Sequence, residues 1–232
     1  MQFKAALAIV SATLQKSTQL PDMRIIAGKF RRRKLQTSPG QTTRPITDRV
    51  KETLFERISQ SCTGARVADI FAGTGTIGLE ALSRGAQSVV FIEKDRVAID
   101  LMRQNIAMLE CEADTLVWPA DVRRCSFRPK GGNERFLPLD LIFFDPPYKM
   151  VPDMVVDSPL WLSLRRLGRS DTSSPHATLV LRTPEHAKYD IPDIWQVDWK
   201  LEMSNMVVSV CRKNPDLPHV DSPPETESVD PE

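Results

Sequence analysis

Short apolar runs alternate along this chain with segments whose apolar residues recur at helical spacing. The runs predict strands at residues 67–71, 88–92, 115–118, 139–144, 178–181, 195–201 and 206–211. The periodic segments predict helices over 47–58, with Thr47 as the N-cap, and over 76–83, 96–109 and 154–167. This alternation is typical of a parallel sheet covered by helices on both faces, here ending in two strands that can form an antiparallel hairpin.

The run at 139–144 is followed at once by Asp145, Pro146, Pro147 and Tyr148. Because proline lacks an N–H and has a fixed φ, the turn is stiff and its carbonyl groups remain available as acceptors. A rigid group of acceptors beside a flat ring suits a planar base that carries an exocyclic amine. We therefore predict Asp145, Pro146 and Tyr148 as catalytic residues. The alternative is an ordinary turn after a strand, with a surface tyrosine.

A second motif lies upstream, where Gly73, Gly75 and Gly78 form the pattern G-x-G-x-x-G. These glycines follow a predicted strand, open a predicted helix, and precede an acid, Glu93, at the end of the next strand. Glycines in this context permit a tight turn, and the acid can bind the ribose hydroxyls of an adenosine. The motif predicts a cofactor that contains adenosine.

Two further acids bear on the cofactor, and Asp69 favours a positively charged one over a dinucleotide. Asp69 lies just before Phe71 and the glycines, where a carboxylate would repel a pyrophosphate but attract the ammonium and sulfonium of S-adenosylmethionine. Asp121, after the third strand, is placed to meet the adenine amine. We assign Asp69, Phe71, Asp121 and Glu93 to the cofactor site together with the glycines. Helix capping is the alternative role for Asp69 and Asp121.

The chain carries 31 basic and 30 acidic residues, and this near balance hides an uneven distribution. Residues 214–232 contribute −6 and residues 1–22 contribute +1, which leaves about +6 on residues 23–213. The positive charge is dense in a predicted hairpin or arm with a turn at Gly28. Its basic residues are Arg24, Lys29, Arg31, Arg32, Arg33 and Lys34. They are candidates for contact with RNA phosphates, although such a run can also be a solvated surface.

The four cysteines and three histidines show no spacing typical of a metal site, so we expect free thiols in a reducing cytoplasm and no metal. Residues 5–10 are apolar but too few to span a membrane. We interpret residues 1–22 as an extra segment before a start at Met23, and residues 214–232 as a disordered acidic tail rich in proline.

Several of these motifs together resemble the RsmD family of bacterial small-subunit rRNA guanine methyltransferases. The matching segments are residues 23–35, 44–55, 69–86, 91–95 and 145–148. The glycine loop and the Asp-Pro-Pro-Tyr turn occur in many amino-group methyltransferases, and the N-terminal segments are the specific part. The chain departs from the family pattern at Arg182, where members usually carry Glu, and at Ile46, where Thr is more common.

The resemblance implies a Rossmann-like α/β fold with a seven-stranded, mostly parallel sheet and an N-terminal hairpin. It implies S-adenosylmethionine as methyl donor and the exocyclic amine of one guanine of 16S rRNA as acceptor, in the small ribosomal subunit or an assembly intermediate. We expect a basic arm and helix at 23–60, a methyltransferase domain at 61–213, and a cytoplasmic monomer without membrane contact. An adenine-specific DNA methyltransferase and a non-catalytic RNA-binding assembly factor remain as alternatives.

Overall fold

The computed structural model describes residues 23–37, 47–203, 205–214 and 216–217. The predictions for residues 1–22 and for nearly all of the acidic tail lie outside the described residues. Ile46 lies outside them too, as do residues 38–41, which the sequence predicts to be a loop. The described part contains five α-helices and seven strands. The helices are α1 (Asp48–Arg57), α2 (Ser59–Cys62), α3 (Thr76–Ser83), α4 (Arg96–Leu109) and α5 (Pro159–Leu167). The strands are β1 (Arg66–Ile70), β2 (Ser88–Glu93), β3 (Thr115–Pro119), β4 (Leu139–Phe144), β5 (Ser173–Pro184), β6 (Trp195–Met203) and β7 (Met206–Lys213).

The seven strands form one sheet in the order β3-β2-β1-β4-β5-β7-β6. The first five strands of this order are parallel, and β7 is antiparallel to both β5 and β6. The strand order reverses direction between β1 and β4, which is where open α/β sheets bind their ligands. The predicted α/β class, the seven strands and the final antiparallel hairpin are confirmed.

Each buried strand sends its side chains alternately to two apolar clusters, one on either face of the sheet. Val67 and Phe143 join α1, α3 and α4 on one face, whereas Ala68 and Phe144 join α5 on the other. Ile25 at the start of the arm belongs to the first cluster. The arm, α1 and the sheet thus share one apolar cluster. The separation into a basic arm and helix at 23–60 and a methyltransferase domain at 61–213 stays a prediction.

Two predicted elements need correction. The helix predicted over 154–167 begins only at Pro159, because Ser158 caps it by accepting a hydrogen bond from the Trp161 N–H at 3.3 Å. Proline is favoured at this first helical position. A 3₁₀ segment, Tyr148–Asp153, occupies the chain just after β4. The strand predicted at 178–181 is longer at both ends and runs from Ser173 to Pro184, although the sequence of residues 170–174 is typical of a surface loop.

The basic arm is a tight hairpin, held by backbone hydrogen bonds between residues 23–25 and 33–35. Its turn passes through Gly28, whose φ of 84° lies in the left-handed region that glycine adopts at least cost. Within the described residues, none of the helices has the length and apolar character needed to cross a membrane.

Candidate active site

The glycine turn after β1 and the acceptor turn after β4 lie side by side at one end of the sheet. β1 and β4 are parallel neighbours, with Ile70 paired to Phe144. Beyond this pair the Asp145 N–H donates to the Ile70 carbonyl oxygen at 3.2 Å. The two motifs singled out in the sequence are therefore joined directly by backbone.

Glycine is favoured at these three positions for different structural reasons. Gly73 and Gly75 have φ values of 56° and 81°, so the turn into α3 runs through left-handed backbone. Gly78 is inside α3, and a Cβ built there would lie 2.3 Å from Cε1 of Phe91 on β2. Glycine at this position therefore allows α3 to pack closely on the sheet, and this packing presents the start of α3 at the end of β1.

Glu93 ends β2 and its carboxylate bridges two loops. One oxygen accepts from the Gly73 N–H at 2.9 Å, and the other accepts from the N–H groups of Lys94 and Asp95 at 2.8 and 2.9 Å. A carboxylate offers roughly four lone-pair positions, so three donors leave about one for a ribose hydroxyl. Glu93 is thus brought to the glycine turn, as the motif requires.

Asp69 is almost fully buried on the face of β1 that meets α3. Its carboxylate accepts a hydrogen bond from the Gly78 N–H at 2.8 Å, so it satisfies a backbone donor in the first turn of α3. Burial raises the pKa of Asp69 to about 8, and the nearby charges of Asp145 and Glu93 act in the same direction. Ionising this carboxyl group is costly in the isolated chain, and a bound cation would offset that cost.

Phe71 and Asp121 border the same end of the sheet. Phe71 has a left-handed φ of 63°, and its ring meets Phe144 edge-on at 5.4 Å between centroids. Asp121 caps the short 3₁₀ turn Val122–Arg124, as the capping alternative expected, and also binds the Arg123 side chain. That side-chain hydrogen bond holds the pKa of Asp121 well below its usual range. The adenine contact of Asp121 stays a prediction.

The acceptor turn holds one partner that the sequence reasoning had not assigned. Arg182, at the carboxyl end of β5, donates from Nε to Oδ1 of Asp145 at 2.7 Å and from Nη2 to Oδ2 at 2.5 Å. Its guanidinium carbon lies 5.8 Å from the centre of the Tyr148 ring. Pro146 is buried and Tyr148 is half-buried. The signal in the sequence is an arginine directly after the apolar run at 178–181, where burial forces it to find an anion.

The arm is docked on α3 by buried polar groups. The fully buried Glu80 accepts from the N–H groups of Ile26 and Ala27 at 2.8 and 3.1 Å. The carbonyl of Ser83 accepts from the Lys29 N–H at 2.7 Å, and its hydroxyl accepts from the Phe30 N–H at 2.9 Å. The sequence pattern did not reveal this contact, because Glu80 reads as an ordinary helix residue.

The six basic residues predicted to contact RNA are all exposed on this docked arm. Arg24 pairs with Asp48 at 3.0 Å, and Arg33 donates to the Met108 carbonyl oxygen at 2.6 Å. Arg32 lies in left-handed backbone at the turn. Contact between any of the six and RNA stays a prediction.

The side chains at this end of the sheet fit a cationic nucleoside. Asp69 lies close enough to Asp145 and Glu93 for their charges to raise its pKa, and the charge of Arg182 acts on it in the opposite direction. The buried Asp69 is costly to ionise without a cation nearby, and Glu93 retains acceptor capacity beside the glycine turn. All four cysteines are buried thiols away from this arrangement.

The fold and the two adjoining turns define the class of Rossmann-like methyltransferases, and solved structures agree. The chain matches the Escherichia coli structure titled “Putative methyltransferase yhhF” with a TM-score of 0.68 and 28% identity, over 84% of this chain and 99% of the other. A Salinibacter ruber RNA methyltransferase in complex with S-adenosyl-L-homocysteine matches with a TM-score of 0.53 and 15% identity, over 75% and 97% of the two chains. That second likeness concerns the fold alone.

The family model described as Conserved hypothetical protein 95 matches residues 23–196, and the chain belongs to this family. The Escherichia coli protein named ribosomal RNA small subunit methyltransferase D is 38% identical over 127 residues, which are 55% of this chain and 61% of that relative. The predicted RsmD-family membership is confirmed. The chain thus spans about three fifths of this relative's length.

Proposed function

We propose that the protein transfers a methyl group from S-adenosylmethionine to the exocyclic amine of a guanine in 16S rRNA. One observation carries this proposal: the backbone of Asp145 is bonded to the last residue of β1, so the acceptor turn adjoins the glycine turn. A donor site and an amine-binding site in contact are what a direct methyl transfer requires. Family membership and the name of the Escherichia coli relative support rRNA as the acceptor.

S-adenosylmethionine, when bound, supplies a methyl group on a positively charged sulfur. On the donor side, Glu93 would hold the ribose beside the backbone of the glycine turn. Asp69 would face the cationic methionine portion, and Phe71 and Asp121 would border the adenosine. These residues bind and orient; none of them is required to react.

On the acceptor side, Asp145 and Pro146 would hold the amine. A guanine amine is a weak nucleophile because its lone pair is delocalised into the ring. When the Asp145 carboxylate and the Pro146 carbonyl oxygen accept its two hydrogens, the nitrogen shifts toward sp³ geometry and its lone pair becomes directional. Formation of the N–C bond would be matched by cleavage of the bond between the methyl carbon and the donor sulfur, which leaves as a neutral thioether. The nitrogen then carries an extra proton, which the Asp145 carboxylate would accept.

Tyr148 would stack on the target base, an interaction worth about 1–3 kcal/mol in proteins that bind single strands. The base must be unpaired or extruded to reach the turn, and an RNA loop or bulge makes that less costly. The exposed basic side chains of the docked arm would contact phosphates, which position the RNA without reading its sequence. This substrate implies a cytoplasmic protein that meets the small subunit or an assembly intermediate, and we infer that it acts as a monomer.

The decisive experiment offers radiolabelled donor to small ribosomal subunits from cells that lack the modification. Mass spectrometry then maps the labelled nucleotide, with Asp145→Asn as the inactive control. We expect one labelled guanine carrying the methyl group on its exocyclic amine. A labelled nucleotide other than guanine, or donor binding without transfer to the subunit, would overturn the proposal.

A further inference from the structure

The pair formed by Arg182 and Asp145 is nearly enclosed. The two side chains are 7% and 17% exposed, and both ends of the guanidinium edge bind the carboxylate. Such a forked pair fixes the plane of the carboxylate as well as its position, which a single hydrogen bond cannot do. This arrangement lies in the turn to which we assign acceptor binding.

The sheet itself sets the position of Arg182. Leu181 pairs with Phe144 in the parallel register of β4 and β5, so the residues that follow these two come out at the same edge. On its other side Arg182 pairs with Val208 of β7. Arg182 is therefore held between two strands while Asp145 is tied to β1, and the guanidinium and the carboxylate meet between fixed backbones.

The pair leaves Asp145 able to act. A carboxylate has roughly four lone-pair positions, and the two hydrogen bonds from Arg182 use one on each oxygen. One position per oxygen remains for amine hydrogens.

We propose that Arg182 is a positioning residue for methyl acceptance, which holds the Asp145 carboxylate in the one plane from which its remaining lone pairs bind the acceptor amine. This inference rests on the proposed function of the Asp145 turn. Arg182 acts through Asp145, to which it donates two forked hydrogen bonds, and its guanidinium also lies beside the Tyr148 ring. Lysine would preserve the charge but not the fork.

The test measures kcat, the KM for acceptor subunits and the donor Kd for Arg182→Gln and Arg182→Lys. Arg66→Gln is the matched control, because Arg66 also forks onto a carboxylate of β4, Asp140, but at the amino end. For Arg182→Gln we expect kcat to fall roughly 10- to 100-fold, as for a misplaced catalytic group, with the donor Kd unchanged. Arg182→Lys should recover only part of this loss, and Arg66→Gln should leave kcat unchanged.

A second measurement separates positioning from a purely structural role. In the Asp145→Asn background, adding Arg182→Gln should cause no further loss of kcat, because residues that act as a unit are not additive. Equal loss of kcat in Arg66→Gln, or full activity in folded Arg182→Gln, would overturn the inference while the proposed function stands. Faster transfer in Arg182→Gln would instead show that the arginine blocks the acceptor. A wild-type chain that labels no subunit would overturn both proposals.

Discussion

β4 carries a carboxylate near each end, and an arginine from a neighbouring strand binds each one. Near the amino end Arg66 of β1 donates to Asp140, and just past the carboxyl end Arg182 of β5 donates to Asp145. The amino-end side chains are 27% and 31% exposed, against 7% and 17% at the other end. An arginine–aspartate pair thus lies at each end of β4, and only the pair at the carboxyl end adjoins the glycine turn.

The amino-end pair has the properties of a stabilising contact. Burial alone would raise the pKa of Asp140, but hydrogen bonds from the Arg66 side chain and backbone outweigh it and lower that pKa. An acid whose pKa is lower in the folded than in the unfolded chain stabilises the fold at a pH above its unfolded pKa. This stabilisation is lost as the pH falls through the folded pKa. At the carboxyl end, by contrast, burial raises the pKa of Asp69. This acid therefore lowers the stability of the folded chain as the pH rises toward neutral.

Removing the charge of Asp145 and of Asp140 in turn tests whether the two ends of β4 have different roles. Asp145→Asn should lower methyl transfer by roughly 1,000-fold or more, because it removes an acceptor for the amine and the group that takes the proton. Asp140→Asn should leave kcat close to wild type and lower only the midpoint of urea unfolding. Single-turnover kinetics with labelled donor checks both. A large fall in donor affinity for Asp145→Asn would place Asp145 in the donor site instead.

A third carboxylate, Glu80, tests whether a buried acid away from the ends of β4 also determines the stability of the fold. Its side chain is fully buried between the arm, Lys51 and Arg84. Glu80→Gln removes one of the two carboxylates that pair with the buried Lys51, at 3.8 Å, while Asp48 at 3.9 Å remains. Because a buried ion pair is broken, we expect a loss of about 3–5 kcal/mol in the free energy of unfolding. Urea denaturation measures it against Glu56→Gln on the exposed face of α1. Equal midpoints for the two variants would contradict the docking role of Glu80.

The arm extends the comparison from buried to exposed charges. Replacing Arg31, Arg32 and Arg33 by Gln should weaken binding to small-subunit RNA, and should reduce the slope of log K against log salt by roughly 2 to 3. The control removes three exposed cations elsewhere, Arg103, Lys130 and Arg212, for the same change in net charge. A triple arm variant with the control's slope would remove the arm from the interface.

The smallest effect concerns the pH dependence of donor binding. Since the pKa of Asp69 is raised to about 8, this acid is mostly protonated at neutral pH in the isolated chain. A cationic donor favours the ionised form, so its affinity should rise as the pH approaches 8 and then level off. Calorimetry in buffers of different ionisation enthalpy should show a proton released near pH 7. Asp69→Asn should lose that release while keeping any titration of the donor itself.

The sequence predicts the donor half of this molecule better than the acceptor half. The helix predicted over 96–109 has those ends in the structure, where Asp95 caps it by accepting from the Ala98 N–H. The glycine turn is a local motif whose position follows from the strand before it and the helix after it. Such features depend on neighbours in the chain, which a sequence displays directly.

The contacts missed from the sequence join residues that are distant in the chain. Arg182 is 37 positions from Asp145, and their meeting depends on β5 lying beside β4. Glu80 is 54 positions from Ile26, and their contact depends on the arm folding back onto α3. The helix predicted from residue 154 failed for a local reason: Ser158 and Pro159 form a start signal that outweighs the apolar pattern before it.

The docking of the arm gives the molecule a fixed span. Gly28 lies so close to α3 that a Cβ built there would be 1.7 Å from the Ser83 carbonyl oxygen, and even alanine would push the hairpin away. Since α3 also begins at the glycine turn, this helix holds the basic hairpin at a fixed distance from that turn. An RNA that contacts both would have to present its phosphates and its target base at a matching separation. We therefore expect selection of the substrate by the folded shape of the RNA rather than by its base sequence.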